Sequence, residues 1–286
     1  MGCRIRILCQ CSIFAVSPAT PDVLYFSTVQ SESILSKKPP DPDLRLPYGQ
    51  DANQFIDVRL PAGKGPHPVV LFIHGGYWRA KYDLTYAGHL CHALSQAGIA
   101  SWNVEYRRVG NPGGGWPGTF EDIRSAYRAL RGHADDLIAK LDLNRLCVAG
   151  HSAGGQLALC LAAHEKSVTR VFSLAGVVDL RRAWDLHLSN DATAQFLGGP
   201  PNEVPEHYRE ASPAEQTISA TQKLIHGTAD TSVPYEIGQS YAEGKKKSGE
   251  KVDLITLPNI GHFEIVDPSS AVWSKVQEVF VSLTQA

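Results

Sequence analysis

Several things are scarce in this 286-residue sequence, and each shortage removes a class of function. Charge of one sign is scarce: 27 Lys and Arg stand against 29 Asp and Glu, for a net charge of −2. That leaves no electrostatic footprint for nucleic acid or an anionic membrane. The one basic run, Lys245-Lys246-Lys247, closes a helical stretch and reads as a solvated helix end. No apolar run approaches the ~20 residues of a membrane span. Cysteine number six, three of them (Cys3, Cys9, Cys11) at the very start; Cys91, Cys147 and Cys160 sit in apolar surroundings. No disulfide framework and no zinc-type spacing emerges. His89 and His92 in "HLCH" lie one helical turn apart, but a second ligand pair is missing, so a surface helix is expected and no metal or cofactor. "NPGGGWPG" (111–118) has neither G-x-G-x-x-G nor P-loop spacing. It reads as a flexible loop beside a site, with Trp116 within reach of a ligand.

What is present describes a globular α/β chain: 43% hydrophobic and 20% charged residues, at a size that buries a core without disulfides. Residues 1–52, rich in Pro, Ser and Asp, read as an extended arm partly ordered against the rest. Arg4 and Arg6 precede "ILCQCSIFAV". A cytoplasmic protein with a plain leader is the main expectation; residues 1–19 acting as a signal peptide would make it secreted or periplasmic. Myristoylation is disfavoured because Arg6 stands where Ser or Thr is wanted. Residues 53–286 form one domain. Strands are expected at 54–60 (antiparallel), 69–73, 99–106, 145–150, 170–178, 222–227 and 252–257. Helices are expected near 84–97, 120–139, 153–164, 235–247 and 269–283. Thr119 and Asp122 have capping-box spacing at the start of the second. This alternation predicts a mostly parallel sheet with helices on both faces. Residues 180–217 lose periodicity and read as a small cap-like insertion.

One stretch carries chemistry. Gly150-His151-Ser152-Ala153-Gly154 fits G-x-S-x-G at the end of a buried strand. Such a turn lifts a serine hydroxyl clear of the fold and aims the amides of the next helix at its target. A serine hydroxyl needs a base, and the base an orienting carboxylate. In a sheet of this kind they follow in the order acid, then histidine. Asp230, in "HGTADTSVP", and His262, in "NIGHFEIVD", each follow a core strand. Asp179 is the reserve acid. His151 should turn its side chain away from the serine, and counts with Trp78 and Trp116 as a candidate pocket residue. His226 should pack into loop structure, and His74 should tie down its own loop through hydrogen bonds. That loop, "HGGYW" (74–78), supplies Gly76 and Tyr77 as candidate oxyanion donors beside the N–H of Ala153.

From about residue 54 to 284 the chain resembles the α/β-hydrolases: "HGGYW", "GHSAGG", "HGTADTSVP" and "GHFEIVD" occur in that family's order. "HGGYW" with "HFEIV" is similar to kynurenine formamidases (arylformamidases) and neighbouring bacterial esterases. The resemblance implies Ser152 as nucleophile, Asp230 as acid and His262 as base, with residues 75–77 shaping the oxyanion hole. The expected activity is metal-free hydrolysis of short-acyl or aryl carboxylic esters through an acyl-enzyme. Hydrolysis of an N-formyl arylamine is the alternative within the same chemistry. A non-catalytic binding protein on this scaffold is the alternative outside it. The partner in either enzymatic case is a small-molecule ester or formamide.

Overall fold

The structure is a computed structural model that describes residues 32–132 and 140–284. The leader, including the alternative signal segment at 1–19, and the end of the helix expected to 139 lie outside the described residues. In chain order the elements are β1 (Leu44–Pro47), β2 (Phe55–Arg59), β3 (His67–Ile73), α1 (Ala87–Gln96), β4 (Ala100–Val104), α2 (Gly118–Gly132) and β5 (Leu141–His151). Then follow α3 (Ala153–His164), β6 (Arg170–Leu174), α4 (Leu180–Asp185), α5 (Ala192–Leu197) and α6 (Pro205–Ala211). β7 (Thr221–Gly227), α7 (Tyr235–Lys247), β8 (Val252–Leu257) and α8 (Trp273–Thr284) complete the chain.

The strands form an eight-stranded sheet in the order β1-β2-β4-β3-β5-β6-β7-β8. β1 pairs with β2, and β2 with β4, in antiparallel fashion; every other pairing is parallel. β1 falls inside the stretch read as an arm. Its four residues are mostly exposed and end on a proline, so no alternation announces it. Its Arg45 reaches the buried Asp57 on β2 at 2.7 Å.

Alternate residues of each central strand enter opposite cores, as a sheet covered on both faces requires. Val69, Leu71 and Ile73 join one cluster with Ile123 of α2, Leu157 and Leu161 of α3, and Ile237 of α7. Val70 and Phe72 join the other with Leu90 and Leu94 of α1 and Val276 and Phe280 of α8. Each of these fully buried side chains contributes about 1.5–3 kcal/mol relative to exposure. Helix α3 is buried from Ala153 through Ala162, lying between the sheet and the insertion. The insertion is three short helices whose Phe196, Leu197, Tyr208 and Ala211 merge into the first core.

Two local expectations give way. Thr119 and Asp122 do not cap each other within α2. The Thr119 hydroxyl donates to the Arg107 carbonyl at 2.5 Å and accepts from Gly115 N–H. Asp122 accepts from Arg107 N–H and from its guanidinium, and from Gln54. Both side chains are drawn off the helix to hold the segment 107–115. That segment is correspondingly packed rather than loose: a Cβ on Gly114 would lie 1.9 Å from the Arg108 carbonyl oxygen.

The parallel register fixes which loops meet. Ile73 lies beside Gly150, His151 beside Leu174, Leu174 beside Ile225, and Gly227 beside Leu257. The residues after β3, β5, β7 and β8 therefore leave the sheet along one edge, where open α/β sheets collect ligands.

Candidate active site

At the end of β5 the backbone turns abruptly into α3. Ser152 occupies φ 57°, ψ −122°, a conformation that costs a non-glycine residue of order 1–3 kcal/mol. The turn closes only because its flanking glycines lack side chains. A Cβ on Gly154 would sit 2.0 Å from the Ile73 carbonyl oxygen, and one on Gly150 would sit 2.1 Å from that of Gly154. Ser152 N–H donates to Leu174 O at 2.9 Å, which ties the strained residue to the neighbouring strand.

Asp230 follows β7 and His262 follows β8. His262 Nδ1–H donates to Asp230 Oδ2 at 2.7 Å. The other carboxylate oxygen, Oδ1, accepts from the backbone N–H groups of Ser232 and Val233, each at 2.8 Å. His226 Nε2 lies 3.4 Å from Oδ2 and donates to the Val233 carbonyl at 2.9 Å. Burial pushes the Asp230 carboxyl upward, but the contacts with His226, His262 and the loop amides outweigh it and hold the group well below the ordinary carboxylate range. Asp230 is thus a carboxylate whose surroundings are two imidazoles, His262 at 2.7 Å and His226 at 3.4 Å, and the amides of its own loop.

The segment after β3 turns through positive φ at Gly76, Tyr77 and Trp78. His74 is fully buried, stacks on Tyr106 at 4.4 Å, and bonds to the Gly75 carbonyl and to Glu105. This is the tethering role expected of it. A Cβ on Gly75 would come within 2.8 Å of Ser152 Cβ, so this loop lies directly against the serine. Among the described residues no acceptor takes the N–H groups of Gly76, Tyr77 or Ala153, whereas Gly75 N–H donates to the Tyr86 hydroxyl at 2.7 Å.

These loops are joined in a ring. Gly75 N–H donates to Tyr86 Oη; Tyr86 O–H donates to His151 Nδ1 at 2.8 Å; His151 Nε2–H donates to the His262 carbonyl at 3.0 Å. The directions follow from chemistry: a carbonyl only accepts, so Nε2 of His151 carries the proton and Nδ1 must be the acceptor. His262 passes the chain to Asp230, Asp230 to Ser232, and the Ser232 carbonyl accepts from the Tyr77 hydroxyl, back in the first loop. Burial holds the His151 imidazole well below its usual range, consistent with a neutral link. The His151 side chain bonds Tyr86 and the His262 carbonyl, so it fastens the main chain of His262, and it lines the cavity together with Ser152. Nothing in the sequence singled out Tyr86 for this. It precedes α1 with no motif around it.

Ser152 and His262 open onto one cavity of about 220 Å³. Its walls include Gly76, Tyr77, Tyr82, Tyr86 and Phe263, with Ser189 from the insertion and Leu35 from the N-terminal segment. Trp78 and Trp116 are not among its lining residues. Trp78 is fully buried, stacked on Phe196 at 4.5 Å, and donates through Nε1 to Gln156 at 2.9 Å. Gln156 in turn donates to the Ala211 carbonyl, tying the loop to the insertion. Trp116 stacks on Phe120. Both tryptophans are packing residues. Asp179 caps α4 by accepting from Arg182 N–H and takes no part in the cavity. His89 donates to the Lys37 carbonyl, and among the described residues no group of three or more His, Cys, Asp or Glu side chains is arranged to hold a metal. Nor is any described helix long and apolar enough to cross a membrane.

The architecture has solved counterparts. A truncated carbohydrate esterase from gut microbiota superposes with a TM-score of 0.73 over 87% of this chain and all of that one, at 20% identity. Eight strands in this order, with a serine turn after β5, define an α/β-hydrolase fold. The family model BD-FAE matches residues 56–244, and the chain belongs to that family. Among curated relatives, the esterase LipC of Mycobacterium tuberculosis is 30% identical over 248 residues, which cover 78% of this chain. The match spans only 60% of that protein's length. The kynurenine formamidase of Drosophila melanogaster is 23% identical, over 79% of this chain and 76% of its own.

Proposed function

We propose that the protein is a serine hydrolase that cleaves short-acyl or aryl carboxylic esters through an acyl-enzyme. The observation that carries this reading is the His262–Asp230 bond at 2.7 Å beside a strained Ser152 on the same cavity. With Nδ1–H committed to Asp230, His262 turns Nε2 to the task of taking the Ser152 proton. Ser152 Oγ attacks the carbonyl carbon, and the carbonyl oxygen becomes an oxyanion. The unclaimed N–H groups of Gly76, Tyr77 and Ala153 receive it, each worth about 3 kcal/mol in the transition state. His262 then protonates the leaving oxygen, the C–O bond breaks, and water repeats the cycle on the acyl-enzyme. Asp230 stabilises the imidazolium throughout without itself taking the proton. A cavity of about 220 Å³ is small beside the ~300–1,000 Å³ of drug-sized sites, which favours a short acyl group.

A formamide is the second reading, supported by the relatives that carry the name kynurenine formamidase. It requires the same groups, with His262 protonating nitrogen. Turnover of p-nitrophenyl acetate, butyrate and octanoate and of N-formylkynurenine, by wild type and Ser152→Ala, separates the two. The shorter esters should be preferred, and Ser152→Ala should lose about 10⁴–10⁶-fold in kcat. Comparable turnover in Ser152→Ala ends the covalent mechanism, and a wild type inert to every substrate favours a binding role.

A further inference from the structure

The segment before β1 is part of the site. Residues Glu32–Ser36 form a short 3₁₀ turn whose Ile34 is buried in the core beneath α1. The irregular stretch that follows, up to β1, is fastened to the domain. The Lys37 carbonyl accepts from His89, the Pro40 carbonyl accepts from the Arg59 guanidinium, and Pro39 fills the space left by Gly88. Ile34 thus pins the turn so that its neighbours Leu35 and Glu32 reach the wall of the Ser152 cavity.

The side of the cavity they border follows from the chemistry. His262 delivers its proton to the departing group, so that group must lie against His262. Phe263 packs edge-on to the His262 ring at 5.1 Å, and Tyr86 packs edge-on to Phe263 at 6.0 Å. Leu35 shares with Tyr82 and Tyr86 both this cavity and the adjoining surface hollow. Of the polar lining residues, Ser189 is held by Arg79, and the Ser232 carbonyl accepts from the Tyr77 hydroxyl. The side that Leu35 borders carries the rings of Tyr82, Tyr86 and Phe263, with His151 packed on His262 behind them at 4.4 Å. The exposed Glu32 carboxylate places a negative charge on that rim.

We propose that the Glu32–Ser36 turn sets leaving-group selectivity, with Leu35 seating a planar aromatic leaving group against Tyr82, Tyr86 and Phe263, and Glu32 disfavouring anionic ones. This rests on the esterase reading above. It assigns the turn no part in the bond-breaking itself.

The test compares kcat/KM for phenyl acetate and ethyl acetate in the full-length protein, so that Ser152 chemistry and folding scale both substrates together. Leu35→Ala should lower the phenyl-to-ethyl ratio about fivefold. Leu35→Trp, which fills the slot, should lower it more than tenfold. Glu32→Gln should raise turnover of p-carboxyphenyl acetate relative to phenyl acetate two- to fivefold at low salt, and the gain should shrink as salt screens it. A ratio unchanged within twofold in both Leu35 variants overturns the inference and leaves the esterase reading standing. A wild type that cleaves neither acetate overturns both.

Discussion

Two kinds of segment border the Ser152 cavity. The loops after β3, β5, β7 and β8 grow from adjacent parallel strands, and their mutual positions follow from sheet register. The covering pieces, Glu32–Ser36 and the turn at 187–191, grow from no strand. His187, Ser189, Asn190 and Asp191 all hold positive φ, and the turn is clasped from outside by Arg79, which donates to the Ser189 hydroxyl and to the carbonyls of Ser189 and Asn190. The strand-borne loops are locked by main-chain geometry and by a closed ring of hydrogen bonds. The cover is held by side chains: Ile34 on one side, Arg79 and Gln195 on the other. Chemistry that tolerates little displacement sits on the first kind. Surfaces that only have to fit a substrate are built from the second.

If the ring positions the reacting groups, opening it should cost activity more than affinity. Tyr86→Phe keeps the ring face but strands Gly75 N–H and His151 Nδ1, both buried. We expect kcat to fall about 10–100-fold, in the range seen when orienting partners are lost, with KM within threefold. Steady-state kinetics on p-nitrophenyl acetate measure this, and an unaltered kcat would mean that the strand-borne loops need no such tie.

A smaller effect appears in the pH dependence of stability. Below about 6.5, His151 is protonated in the unfolded chain but stays neutral when folded. The unfolded state then binds more protons, so stability falls on acidification through this window, by up to ~1.4 kcal/mol per pH unit from this one group. His151→Gln lowers stability at neutral pH but should flatten that slope. Denaturant midpoints between pH 7 and pH 5 for both proteins decide it; parallel slopes would place the acid sensitivity elsewhere.

The smallest effect belongs to the cover. Asp179→Ala removes the cap of α4 and should cost about 1 kcal/mol, read as a thermal midpoint lowered by a few degrees. Activity on small acetates should hold within twofold. A large loss of activity would erase the distinction between scaffold and cover.

The same division explains what could be read from the chain beforehand. The strand runs 145–150, 222–227 and 252–257, each followed by a short motif, place Ser152, Asp230 and His262 on one edge because parallel strands leave little choice. Glycine demands at 150 and 154 are equally local. Tyr86 was invisible because its role depends on the rotation of one side chain between two remote loops. Trp78 and Trp116 misled because an aromatic beside a motif can face the core or the ligand, and only the position of Phe196, far along the chain, decides which. Thr119 and Asp122 show the same failure at a helix start: their spacing suits a cap, but Arg107 competes for both and wins. Leu35 belongs to a stretch without periodicity, where burial of Ile34 is set by the surface it meets.

Because His151 Nε2–H bonds the carbonyl of residue 262 and not its imidazole, the clasp on this stretch of main chain does not use the side chain that it helps to hold.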